Sequence, residues 1–152
     1  MKLAEALILR ANAQNDIESI KRRLLNNAKV QDGEEPSENP EELLSILDSL
    51  ITKLEDLIKK INKTNSTTVV DGVKTISDLI TEKDCLIKKI RVLKDFANAA
   101  TLTIDRYNRT EIKIFSTVNV KDLQKEIDKL SKRYREIDTK LQECNWTIDL
   151  IE

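Results

Sequence analysis

The chain has 152 residues, a formal net charge of −1 and no histidine. That length suits about one domain with a real core, and the balanced charge excludes a whole-molecule bias toward nucleic acid or anionic membranes. The missing histidine excludes Ser–His and Cys–His nucleophile pairs and the Glu-x-x-His sites of ferritin-like bundles. With only two glycines and two prolines, tight turns must be scarce and the elements long and few.

The first helix is expected over 2–28. Leu3, Ala6, Arg10, Ala13, Ile17, Ile20 and Leu24 recur at alternating steps of three and four, which places them on one stripe. Arg10 is its polar member. Asp32-Gly33, Pro36 and Pro40 then mark an acidic connection between antiparallel helices. Asn39-Pro40-Glu41-Glu42 starts the next helix, with Asn as cap and Pro at the first helical position.

The second helix is expected over 40–62. Leu43, Leu47, Leu50, Leu54, Leu57 and Ile61 form an unbroken heptad seam, a candidate helix–helix interface. Leu44, Ile51 and Ile58 add a row beside it, and Ile46 widens the apolar face further. A face so broad calls for more than one neighbour.

Asn65-Ser66-Thr67-Thr68 is expected to break this helix. Val69-Val70-Asp71-Gly72-Val73 reads as a hairpin on an Asp-Gly turn, with strands at 67–70 and 73–75. A further strand is expected at 112–118, where Ile112, Ile114, Ser116 and Val118 alternate with other residues. Five of the seven valines lie in or beside these two breaks, and β-branched residues favour strands. The two regions are expected to meet as one small antiparallel sheet, since a lone hairpin is marginal.

The third helix is expected over 75–102, through Ile76, Leu79, Lys83, Leu86, Ile90, Leu93, Ala97 and Ala100. The fourth is expected over 120–146, with Leu123, Ile127, Leu130, Tyr134, Ile137, Leu141 and Cys144 as its seam. The fold class is thus mainly α: four long antiparallel coiled-coil-like helices with a small antiparallel β element at one end, in a single domain over 1–152. Helix, connection, helix occurs twice, but no repeat stands out in the sequence.

No catalytic, cofactor or metal signature is present. Two glycines cannot build a phosphate-cradling loop. Two cysteines without histidine fall short of a zinc set. Cys144 continues a seam and reads as a small buried hydrophobe. Glu82 and Asp84 point to different helix faces, so they form no carboxylate pair. One stretch is richer than a solvated loop requires. Arg106, Tyr107 and Arg109 could grip a phosphate or stack on a base. Asn26, Asn27, Asn145 and the lone tryptophan, Trp146, complete the candidate ligand or interface cluster.

Several segments resemble a family of uncharacterised bacterial proteins, some of which carry the label septicolysin. They are Leu24-Leu25-Asn26-Asn27-Ala28-Lys29-Val30-Gln31 with Gly33-Glu34-Glu35-Pro36, Ile61-Asn62-Lys63-Thr64-Asn65, the Arg106-Tyr107 and Arg109 segment running into Glu111-Ile112-Lys113, and Asn145-Trp146-Thr147. The resemblance implies a small helical protein without an established activity. Its label implies action on membranes. The residues themselves favour a cytoplasmic, non-enzymatic assembly protein that associates with itself. They show no apolar run of about 18 residues, so no membrane span is expected. Alternatives are a nucleotide or nucleic-acid module using the Arg106-to-Arg109 segment, and a septicolysin-type membrane-active protein.

Overall fold

The computed structural model describes residues 1–102 and 112–152. Its elements are α1 (Leu3–Asn26), α2 (Pro40–Thr67), β1 (Val69–Asp71), β2 (Lys74–Thr75), α3 (Ile76–Ala100) and α4 (Val120–Thr147). The protein is mainly α, with four helices and a two-stranded antiparallel sheet. Two compact units divide the chain. One comprises Met1–Ile76 with Glu143–Glu152, and the other Ser77–Gln142.

In the first unit α1 packs on α2. Ala6, Ala13 and Ile20 of α1 are buried, as are Leu43, Leu57 and Ile61 of α2. Alanine at two of the α1 positions leaves room for the long Leu and Ile side chains opposite. The α2 start is as expected: the Asn39 side chain accepts a hydrogen bond from the Glu41 N–H at 2.9 Å, with Pro40 at the first position. That satisfies one of the donors a helix start leaves free.

The end of α2 is a correction. The helix runs to Thr67 rather than stopping at 62. Thr64 and Thr67 turn their hydroxyls back onto the carbonyls of Lys60 and Lys63, both at 2.8 Å. Bonded that way, a hydroxyl stays within the helix instead of competing with it. β1 and β2 therefore begin later than the expected strands. Gly72 supplies the positive φ, +60°, that their turn demands.

The second unit pairs α3 with α4 around Ile90, Ala97 and Ile127, with Leu86, Leu93, Leu123, Leu130 and Tyr134 packed against them. Lys83, the charge inside the α3 seam, is answered by α4. Its ammonium sits 2.6 Å from the Asp138 carboxylate and 5.7 Å from the Tyr134 ring centroid. The bond to Asp138 raises the Lys83 pKa. Arg133 pairs with Glu82 on the same two helices.

The strand expected at 112–118 is a second correction. Among the described residues this segment is not a strand, and the only sheet there is β1–β2. Ser116 ties itself to Val118, donating to the carbonyl at 2.7 Å and accepting from the N–H at 3.3 Å. That local turn uses the backbone groups a ladder would need and delivers the chain to Asn119, whose side chain caps α4 at Lys121 and Asp122. Ile112, Ile114 and Phe115 are all exposed.

The structure also reveals a repeat. A shift of 80 residues carries Asn39 to Asn119, Leu43 to Leu123, Leu50 to Leu130, Thr64 to Cys144 and Asn65 to Asn145. The burial classes of residues 52–70 recur unchanged at 132–150. A shift of 73 carries the α1 seam onto α3, Leu3 to Ile76, Arg10 to Lys83 and Ile17 to Ile90. Backbone pairing follows the same rule. Ile76 N–H donates to the Thr68 carbonyl at 3.1 Å, and Leu3 N–H donates to the Ile148 carbonyl at 2.9 Å. Val69 pairs with Thr75 in the hairpin, and Lys2 pairs with Asp149 in an isolated bridge. The first residues and the last thus reproduce the β1–β2 junction without a turn between them.

Candidate functional site

The connection after α1 contains Asn26 and Asn27. Asn27 is buried, and its amide closes the loop. Its Nδ2 donates to the Arg23 carbonyl at 2.8 Å, while its Oδ1 accepts from the Glu38 N–H at 3.0 Å. The Arg23 Nε donates to both Glu38 carboxylate oxygens, at 3.1 and 3.0 Å. This bond raises the Arg23 pKa and lowers that of Glu38. Beside it lies an open depression of about 400 Å³, lined by Asn26, Lys29, Gln31, Glu34 and Glu35 among others. The lining carries one ammonium, Lys29, and two carboxylates, Glu34 and Glu35, so it selects no single charge. The role of Asn27 is to hold the loop.

Asn145 and Trp146 lie in the last turn of α4, beside the terminal junction. There the Lys2 ammonium reaches the Asp149 carboxylate at 2.9 Å and the Thr147 carbonyl at 3.0 Å, lowering the Asp149 pKa. Trp146 is 61% exposed and does not anchor a core. Leu3 bonds to Ile148 at the start of α1, whereas Asn27 follows its end. The 24 residues of α1 separate these places by about 36 Å at 1.5 Å per residue. The structure therefore does not bring Asn26 and Asn27 together with Asn145 and Trp146. Arg106, Tyr107 and Arg109 fall outside the described residues.

Sequence reasoning missed Thr64. It is fully buried, and its hydroxyl accepts from the Ile151 N–H at 2.9 Å while donating to Lys60. Lys63 adds a bond to the Glu152 carbonyl at 2.9 Å. These contacts fasten the C-terminal segment onto α2. The available signal was the match of Thr64-Asn65 to Cys144-Asn145 at the shift of 80. Cys144 is buried and Cys85 exposed, and the two form no disulfide.

The α2 seam faces inward. Leu43, Leu57 and Ile61 are buried, and Leu47, Leu50 and Leu54 are half-buried. The row beside it is different. Leu44 is 49% exposed and Ile51 is 45% exposed, while Ile58, one heptad on, is half-buried. Among the described residues no group of acids and cysteines could hold a metal ion, and no helix is long and apolar enough to cross a membrane. Among the described residues this apolar row is an exposed surface with a chemistry of its own.

Fold and surface together define a helical-hairpin protein with an outward apolar stripe. Residues 10–150 match a family of unknown function, DUF6847, and the chain belongs to it. It is also similar to a functionally unknown conserved protein from Corynebacterium diphtheriae, solved by crystallography. The identity is 40%, the match covers 99% of each chain, and the TM-score is 0.90. No curated protein matches the chain.

Proposed function

We propose that this is a cytoplasmic, non-enzymatic interaction protein that works by self-association through the outer row of α2. The observation that carries this is the exposure of Leu44 and Ile51 on a helix whose inner seam is already satisfied by α1. Covering the exposed half of each of these side chains is worth about 1 kcal/mol by area. Two cysteines without a disulfide between them fit a reducing compartment. Size-exclusion chromatography with light scattering tests the reading. A multiple of 17.5 kDa at tens of micromolar is expected, and a monomer refutes it.

The exposed Lys88, Lys89, Arg91 and Lys94 of α3 favour a second reading, nucleic-acid binding. It requires an affinity for single-stranded RNA that falls as salt rises. The resemblance to proteins labelled septicolysin implies a membrane-active alternative, which requires dye leakage from liposomes.

A further inference from the structure

The repeat separates what the fold needs from what it does not. At the shift of 80, the exposed Leu44 and Ile51 correspond to Gln124 and Ser131, while Ile58 is half-buried and its counterpart Asp138 turns toward Lys83 of α3. The same helix position in the other repeat is polar, so the fold does not demand an apolar row there. At the shift of 73, Cys85, Val92 and Phe96 correspond to Asn12, Ser19 and Arg23. Here the third helix is apolar where the first is polar. Each repeat therefore carries one outer apolar stripe that its counterpart lacks.

Both stripes are built like helix seams. On α2, Leu44, Asp48, Ile51 and Glu55 alternate steps of four and three. On α3, Cys85, Lys89, Val92, Phe96 and Ala99 do the same. Such spacing lines residues along one stripe. Val92 is 66% exposed and Phe96 is 44% exposed.

Their net charges are opposite: on α3 the exposed Lys88, Lys89, Arg91 and Lys94 outnumber Asp84 and Asp95, and on α2 the exposed Glu41, Glu42, Asp48, Glu55 and Asp56 outnumber Lys53 and Lys59. Glu41 and Asp48 edge the α2 stripe, and Lys88 and Lys89 edge the α3 stripe. All four are exposed and have no ion-pair partner among the described residues. Pairing α2 with α2 of another copy would set acid against acid. Pairing α3 with α3 would set lysine against lysine. Pairing α2 with α3 matches apolar rows and opposite charges together.

We infer that the α2 stripe of one copy docks on the α3 stripe of another copy of this chain. The inference rests on the self-association reading and names its two surfaces. A two-fold axis makes the contact twice and closes a dimer, and other rotations close larger rings.

Charge reversal tests it. One variant carries Glu41→Lys with Asp48→Lys, and the other carries Lys88→Glu with Lys89→Glu. All four sites are exposed, and circular dichroism checks that each variant is folded. Light scattering should show the wild type assembled, each variant alone reduced to 17.5 kDa, and the equimolar mixture restored to the wild-type mass. Either variant alone keeping the wild-type mass, or a mixture that stays monomeric, overturns the pairing and leaves self-association standing. A monomeric wild type at tens of micromolar overturns both.

Discussion

Replacing Thr64 by Val keeps the side-chain shape and removes the hydroxyl. That hydroxyl is fully buried, accepts from the Ile151 N–H at 2.9 Å and donates to the Lys60 carbonyl at 2.8 Å. Lys60 loses only a second donor, because its carbonyl still faces the helix N–H of residue 64. Ile151 loses its acceptor, and a methyl group stands where the oxygen was. Leaving a buried donor unsatisfied costs about 1–3 kcal/mol. For a chain of this length that lowers the melting temperature by roughly 2–10 °C. Thermal unfolding followed by circular dichroism measures the shift, and amide exchange at Ile151 shows whether the terminal segment is what loosens. Thr67→Val is the control. It removes a hydroxyl that bonds only to its own helix and should stay within about 0.5 kcal/mol. An unchanged melting temperature for Thr64→Val, with unchanged protection at Ile151, refutes the clasp.

Other outcomes follow from the same contacts. Ile90→Ala empties the centre of the α3–α4 cluster, where Ile90 is 2% exposed, and should cost about 2–5 kcal/mol; Ile112→Ala, at an exposed position, should cost less than about 0.5 kcal/mol in the same urea titration. Asn27→Ala strands the Glu38 N–H and should cost about 1–3 kcal/mol, with little effect from Asn26→Ala. Glu38 and Asp149 both have lowered pKa values, against ordinary values of 4.5 and 3.8. The unfolded chain thus takes up protons first as pH falls, and their stabilisation, complete above about pH 5, is lost as pH drops through the folded values. Melting curves from pH 7 to pH 3 should show that loss, and Glu38→Gln with Asp149→Asn should flatten it; an equal acid slope in the double variant refutes the assignment.

The helices were legible because their seams are regular. Leu43 to Ile61 and Leu123 to Cys144 keep one stripe over the whole element, and Asn39 and Asn119 mark the starts. The end of α2 was not legible, because Thr64, Ser66 and Thr67 are poor helix formers that become tolerable once their hydroxyls bond back to Lys60 and Lys63. The alternation at 112–118 was misleading, because alternation signals a strand only where one face has something to cover. The repeat was hidden for a geometric reason. Its two helix pairs align at different shifts, 80 and 73, since the second connection is longer, and no single offset superposes both. Of the candidate cluster, Asn27 proved to be a loop fastener. The outer row of α2 was visible as excess apolarity, but only comparison with Gln124 and Ser131 shows that the fold does not require it.

The two strand junctions have the same pairing but very different loops. One closes over Val69 to Thr75, and the other joins Lys2 to Asp149. Because closure entropy grows with the logarithm of loop length, the second is harder to form from an unfolded chain by about 3 kcal/mol. The junction of the first and last residues should therefore zip after the β1–β2 hairpin. A purification tag at either end adjoins that seam, whereas an insertion at Gly72 does not.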